Sequence, residues 1–377
     1  MRFLGIALAV AALVGFFTMA EAATWNLSPG DDIQATIDNH ASDGDTIILA
    51  PGVYNSGANA YGYWEITVDK DLTFEGAQAG VCGTQRNPND LSNESVLEGG
   101  FFVTQDVDDV TFDGLTVYCP ADLAWPPRSV NLKSQALNTT VVNNLMYLGD
   151  SEGHLDSAFV MFGTDRVVDN VHMEQNWLWG DGPDMTQYPN AVQLGPQGVD
   201  GLAVIKDNII EDCGGGGGIG VMSGVGFDCS ITGNIIDNTG NENIWWSTWE
   251  ADGDPSTCVI EYNTLLNAAL NGVKIAGAGS IPPSPETTFD IHNNNILGAP
   301  VAIRNQSSNT VDALGNYVGA YPCDPSLFVN EGAGTLAYDP CLEEEVPSQW
   351  DKPIPEPGAL SLVGLGLVGL VRRKRRS

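Results

Sequence analysis

Apolar residues along the middle of the chain come in short runs broken by one recurring polar residue. The segments Val141-Val-Asn-Asn144-Leu, Met173-Glu-Gln-Asn176-Trp-Leu, Ile205-Lys-Asp-Asn208-Ile-Ile, Ile231-Thr-Gly-Asn234-Ile-Ile, Ile260-Glu-Tyr-Asn263-Thr-Leu-Leu and Ile291-His-Asn-Asn294-Asn-Ile-Leu share one pattern. A long or β-branched apolar residue is followed by two variable positions, an Asn and further apolar residues. Ala313-Leu-Gly-Asn316 reads as a last, degenerate copy. Upstream, Leu72-Thr-Phe-Glu75-Gly and Val110-Thr-Phe-Asp113-Gly align with an acidic residue in the Asn slot. The spacing averages about thirty residues, a period that marks a repeat architecture. Each unit holds short β-rich runs between Gly, Asn and Asp turns, and none shows a sustained helical period.

A strand–turn–strand unit with one Asn in phase predicts a solenoid whose Asn side chains stack. Each buried amide then bonds to the next coil, which removes the cost of burying it unpaired. Parallel strands at ~4.8 Å would line Val, Ile and Leu into inward files, and about nine coils would make a rod on the order of 40 Å long. A Greek-key sandwich, the competing all-β arrangement, gives no reason for Asn in phase. The opening segment, Asp31 to Asp38 and then Gly44 to Tyr54, reads as a capping helix, a Gly-Asp turn and a first strand. Asp31 or Asp32 suits the N-cap. On these residues, from about 24 to 335, the chain resembles the right-handed parallel β-helix of the pectate-lyase-like superfamily. The resemblance implies an all-β fold: a single right-handed parallel β-helix of about nine coils over 23–340, with a short N-terminal capping helix. A linker over 341–353 would follow.

The two ends read as targeting segments. Arg2, the apolar run Phe3 to Phe17 and the small residues near Ala22 describe a secretory signal peptide over 1–22. Residues 354–377 hold Pro355-Glu356-Pro357, an apolar run from Ala359 to Val371 and the cluster Arg372-Arg-Lys-Arg-Arg376. This tail resembles the PEP-CTERM sorting signal in all three of its parts. The resemblance implies a Gram-negative host, processing by an exosortase and delivery to the outer surface or extracellular matrix. The apolar run would serve as a transient inner-membrane helix, although thirteen residues are marginal for a ~30 Å hydrocarbon core.

Charge narrows the partners. The chain has 15 Lys and Arg against 48 Asp and Glu, and the body between the terminal segments keeps nine basic against 46 acidic residues, a net −37. Such a field repels nucleic acid and attracts cations. Seven Cys fit an oxidising compartment. Cys82 with Cys119, Cys213 with Cys229 or Cys258, and Cys323 with Cys341 are plausible bridges; an odd count leaves one thiol over. There is no CxxC, and four His argue against a zinc site. The run Gly214 to Gly218 precedes a strand and lacks the Lys of a phosphate loop.

Candidate chemistry comes from the strand register. Placing Val192/Leu194, Ile219/Val221, Ile244/Trp246, Val273/Ile275 and Val301/Ile303 inward leaves Gln193, Gly220, Trp245, Lys274 and Ala302 outward. The next outward file then reads Gly195, Met222, Ser247 or Thr248, Ala276 and Arg304. Lys274 and Arg304 are thus expected on adjacent coils of one face, beside Trp245 and Trp249. A base and a cation are what elimination from a uronate requires, and β-helix lyases similar to this chain use such pairs. The plainer reading pairs both with surface carboxylates. The signatures of the pectin-hydrolase family are absent as a set. Exposed Trp245, Trp249 and Trp179 suit stacking on sugar rings. Asp181, Asp184, Glu211 and Asp212 would crowd successive turns, an oxygen-rich set suited to Ca²⁺, or as a carboxylate pair to glycoside hydrolysis.

Two functions follow as expectations. One is an enzyme acting on extracellular polysaccharide, by elimination rather than hydrolysis and with Ca²⁺ offsetting the repulsion between an acidic rod and an acidic glycan. The other is a non-catalytic glycan-binding surface or matrix protein.

Overall fold

The residues before each recurring Asn form a strand whose alternate side chains turn inward. In Thr257–Glu261, Cys258 and Ile260 are buried while Val259 and Glu261 reach the surface. Strands of this kind stack in parallel into a twelve-stranded sheet, sheet A. The three residues after the Asn, such as Thr264–Leu266, build the nine-stranded sheet B, and a third set, such as Asn271–Gly277, builds the ten-stranded sheet C. Neighbours in each sheet lie one coil apart in sequence, and every pairing is parallel. The computed structural model of the chain describes residues 22–57, 65–118, 131–148, 159–163, 170–180, 190–196, 201–213, 217–223, 227–248, 256–277 and 287–347. Over these residues the chain is a parallel β-helix. The rung count differs slightly from face to face. The end strands Thr24–Leu27, Val311–Asp312 and Leu336–Ala337 extend sheet A and Phe328–Asn330 extends sheet C, while beyond Asn295–Leu297 sheet B continues as a single bridge from Asn295 to Tyr317.

The inner files form one continuous core. Ile205, Ile231, Ile260 and Ile291 follow one another fully buried, and Phe74, Phe101 and Phe112 pack with centroids 4.8–5.2 Å apart nearer the N-terminus. Each such side chain contributes about 1.5–3 kcal/mol when fully buried.

The sheet A to sheet B corner carries the Asn ladder. Asn144, Asn176, Asn208, Asn234, Asn263, Asn294 and Asn316 are all buried. The Oδ1 of each accepts both the backbone N–H and the Nδ2–H of the Asn one coil earlier, at 2.9–3.1 Å from Asn144 to Asn316. Each Nδ2 also donates to a carbonyl of the preceding coil, as Asn234 does to Ile205 and Asn263 to Ile231. The residue before each ladder Asn lies in the left-handed region: Asn143, Gln175, Asp207, Tyr262 and Asn293 at φ 55–60°, Gly233 at 68° and Gly315 at 66°. That conformation costs a non-glycine residue roughly 1–2 kcal/mol, which the doubly bonded Asn beside it offsets.

Upstream the slot is filled differently from the expectation. Asp113 pairs with Val142, so Leu115 stands level with Asn144, and Glu75 and Asp113 lie two positions before the slot. Leu115 begins the ladder only through its backbone, donating to Asn144 Oδ1 at 2.9 Å.

Both ends of the core are covered. Helix α1, Ile33–Asn39, buries Ile33, Thr36 and Ile37 against the first coil, and its N-cap is Asp32, whose side chain accepts from the Ala35 N–H. Residues 76–94 leave the coil and fold back over the ladder corner. There Arg86 is buried, pairs with Glu94 and donates to the Asn143 and Leu115 carbonyls. At the far end Cys323 and Cys341 form the expected disulfide, and Phe328 stacks on Tyr338 at 4.4 Å. The expected pairing of Cys213 with Cys229 or Cys258 is not made. Cys229 and Cys258 are register partners inside sheet A, and all three are buried free thiols because Cys213 sits on another corner. Cys82 donates to Gln175, and Cys119 lies outside the described residues. No helix among the described residues is long and apolar enough to cross a membrane; the apolar runs expected to act as signal peptide and as tail anchor lie outside them.

Replacing Asn234 by Ala orphans the Asn208 N–H inside the corner and removes the side-chain donor to the Ile205 carbonyl. Urea unfolding should show a loss of about 3 kcal/mol. Asn330, whose single bond to Gly334 is exposed, should change stability by less than about 0.5 kcal/mol when made Ala.

Candidate functional site

Sheet C strands turn a corner near their start. A Cβ on Gly218 or Gly272 would run into the buried Ile236 or Ile296, so this position faces inward, and so does the next, Ile219 or Val273. Two inward residues in succession put the positions on either side of them outside. One outer file begins Asn190, Gly217, Glu242, Asn271; the other holds Phe102 and Lys133 and then Gln193, Gly220, Trp245, Lys274 and Arg304. Gly220 leaves room for a neighbour, since a Cβ there would meet Asn190 Nδ2 at 2.0 Å.

The expected register holds through Val273 and Ile275 and then shifts by two. Ile303, not Val301, pairs with Val273, so Arg304 stands beside Lys274 and not beside Ala276. The cause is Asn305, which takes the inward place opposite Ile275. It is fully buried, accepts from Ser307 and donates to the Asn309 carbonyl. A polar residue in a core file hid the true apolar pattern. Trp245, Lys274 and Arg304 therefore occupy three consecutive rungs, each ~4.8 Å from the next, while Trp246 points inward against Phe289.

Lys274 and Arg304 each meet a carboxylate. Lys274 Nζ lies 3.3 Å from Glu242, which also accepts from Asn271 Nδ2 at 3.0 Å. Arg304 lies 3.7 Å from Glu331. Farther along the file Lys133 sits over the Phe102 ring at 4.8 Å. Along this face, Trp245 Nε1, Arg304 Nε, Asn190 Oδ1 and Asn271 Oδ1 are buried with no hydrogen-bond partner. Native structures leave few such groups, because each costs roughly 1–3 kcal/mol.

The remaining expected residues scatter. Trp249, Asp181 and Asp184 lie outside the described residues. Trp179 is on sheet B, in an outer file with Tyr118 and Tyr147. Tyr118 and Tyr147 stack at 4.9 Å, and Tyr147 meets Trp179 at 5.5 Å, so one face of Trp179 is already covered. Glu211 is the next rung of that file and accepts from Trp177 Nε1 at 2.8 Å. Asp212 turns the chain at φ 55° and accepts from Asn238 at 2.6 Å. Among the described residues no third His, Cys, Asp or Glu closes a ligand set with Glu211 and Asp212. Burial raises the Glu211 carboxyl above its ordinary range, the bond from Trp177 opposes this, and the charges of Asp212 and Asp237 add to the rise.

Asn190, Glu242 and Asn271 were not foreseen. They stand three residues before Gln193, Trp245 and Lys274, a spacing that strict alternation would place inside. The recurrence of polar residues at that offset was the available signal.

A protein-family profile for the PEP-CTERM protein-sorting motif matches residues 353–376. The tail is a PEP-CTERM motif. It marks an exported protein that an exosortase processes, and with the sheets above it makes the chain an exported parallel β-helix protein with a PEP-CTERM tail. No curated protein and no solved structure matches the chain, so the pectate-lyase-like resemblance rests on the sequence pattern alone.

The raised Glu211 carboxyl binds its proton more tightly folded than unfolded. Stability therefore falls as pH rises from the ordinary Glu value through the raised one. Glu211→Gln should melt higher than the parent at pH 7, and the difference should vanish near pH 4, as read by thermal scans at both values.

Proposed function

We propose that this protein engages extracellular polysaccharide along the outer face of sheet C and cleaves uronate-containing chains there by elimination. The observation that carries this reading is the file Trp245, Lys274, Arg304 on three consecutive rungs. Trp245 offers an apolar surface for a sugar ring, and the two cations suit a carboxylated sugar. In elimination the Lys274 amine would take the C5 proton and Arg304 would stabilise the charge that develops on the carboxylate; the C4–O4 bond then breaks as the C4–C5 double bond forms, and the departing sugar oxygen takes a proton from water or the Lys274 ammonium. The orphaned polar atoms along this face are of the kind that a polyhydroxylated ligand satisfies. Because the body is strongly acidic, an acidic glycan would need Ca²⁺ between the two, with Glu211 and Asp212 and the expected Asp181 and Asp184 as its ligands. Delivery to the outer surface or matrix would place the protein beside such a substrate.

A second reading, a non-catalytic glycan-binding surface protein, is favoured by one contact. Lys274 is paired with Glu242, and an ammonium held by a carboxylate is a poor base.

The exported protein should raise the absorbance of unsaturated uronates on pectate, alginate or chondroitin in Ca²⁺ but not in chelator. Lys274→Ala and Arg304→Ala should abolish the signal. Binding without absorbance, weakened roughly 3- to 10-fold in Trp245→Ala as an aromatic contact of about 0.5–1.5 kcal/mol requires, would establish the second reading. Binding to no glycan would remove both.

A further inference from the structure

Sheet A carries a separate constellation on the outer side of its last coils. Strand Thr288–His292 buries Phe289 and Ile291 and turns Asp290 and His292 outward. Asp312, on the next rung, is the register partner of Asp290, and Val311 beside it is buried. One ligand atom from each of Asp290, His292 and Asp312 lies within 4.8 Å of the other two.

The imidazole is already set for one role. His292 Nδ1 is 2.8 Å from the Leu314 carbonyl, which can only accept, so Nδ1 carries the proton. Nε2 of the neutral ring then keeps its lone pair. Fixing of the far nitrogen by a carbonyl is how metal-bound histidines are oriented. Nε2 stands 3.8 Å from Asp312 Oδ1. That gap is too long for a hydrogen bond, but two metal–ligand bonds of about 2.1 Å can span it.

The carboxylates point the same way. Asp290 and Asp312 are directly opposite on paired strands, where like charges repel. Glu261, one rung before His292 in the same outer file, adds to the negative field. Neither Asp290 nor Asp312 has a Lys or Arg ion-pair partner among the described residues.

We propose that Asp290, His292 and Asp312 bind one divalent transition-metal ion, of the Zn²⁺ or Co²⁺ type. The imidazole nitrogen selects against Ca²⁺ and Mg²⁺, which take oxygen ligands. A mixed nitrogen–oxygen set without thiolate suits the first-row divalent ions. Ligands of a tetrahedral ion stand about 3.3 Å apart, so the three atoms must draw together. Asp312, whose side chain is 44% exposed, would rotate inward by giving up one long bond, the 3.3 Å contact in which its Oδ1 accepts the Leu314 N–H. Three protein ligands leave a further position open to water or to a group of a bound ligand. This centre is independent of the sheet C face, being built on a different sheet.

The full exported protein, without a histidine tag and freed of metal by chelator, is titrated with ZnCl₂ and with CoCl₂. One ion per chain should bind, with visible Co²⁺ absorbance, and tenfold excess Ca²⁺ should not displace it. His292→Ala and, separately, Asp312→Asn should each weaken that site tenfold to a hundredfold or abolish it, with unchanged circular dichroism. Asp312→Asn alters a half-exposed side chain near the end of the rod, so it reports even where the His292 variant folds poorly. No binding at millimolar metal, binding unchanged in both variants, or displacement by Ca²⁺ would each overturn the assignment.

Discussion

The Asn ladder is the interaction on which the rest of this β-helix depends. It satisfies the corner where the chain leaves sheet A for sheet B, a corner buried too deeply for water to serve it. It also fixes the axial register, because each Oδ1 holds both donors of the preceding Asn. With that corner pinned, sheet B needs only three residues per coil, and side chains on all three sheets fall into files. The outer files that carry the candidate chemistry are consequences of this register. A slip of one residue at the ladder would turn the Trp245–Lys274–Arg304 file toward the core.

The sparse positive charge is spent in two ways. Arg86 is buried against Glu94 and ties the 76–94 excursion to the ladder corner, and Lys206 pairs with Glu174 and Asp207 on sheet A. Burial raises the Glu174 carboxyl, but its bonds from Lys206 and His172 outweigh this and hold it below its ordinary range. These pairs hold the scaffold together. Lys133, Lys274 and Arg304 instead share one outer file of sheet C with Trp245, where Lys274 also meets Glu242 and Arg304 meets Glu331. The constellation on sheet A uses neither Lys nor Arg, and sets one imidazole beside two carboxylates.

The fold was legible because its period is carried by a residue that is costly in an apolar run unless it is partnered. Seven Asn from 144 to 316 therefore marked the coils correctly, down to the degenerate last copy. Where the reading slipped, one residue type stood in for another. Glu75 and Asp113 resemble Asn chemically but lie two positions off the slot that Leu115 fills. Asn305, buried and fully bonded, broke the apolar pattern that would have aligned Arg304 with Lys274. Glu242 and Asn271 were lost because two inward residues in a row break the two-residue period of a strand. The Asp290–His292–Asp312 group joins residues twenty apart, an adjacency that follows only once the last coils are stacked.

The ladder also has a direction. Every Oδ1 serves the coil before it, so no coil can complete its own corner; each waits for its successor to arrive. A chain that crosses a membrane N-terminus first must then carry one unfinished rung at its emerging edge throughout transit. Asn316 ends the sequence of dependence, because its amide closes on Ile291 and Ala313 without a further Asn. Assembly of the rod is thus complete only when the last coil and the disulfide-clipped segment after it have come through, about ten residues ahead of the sorting tail.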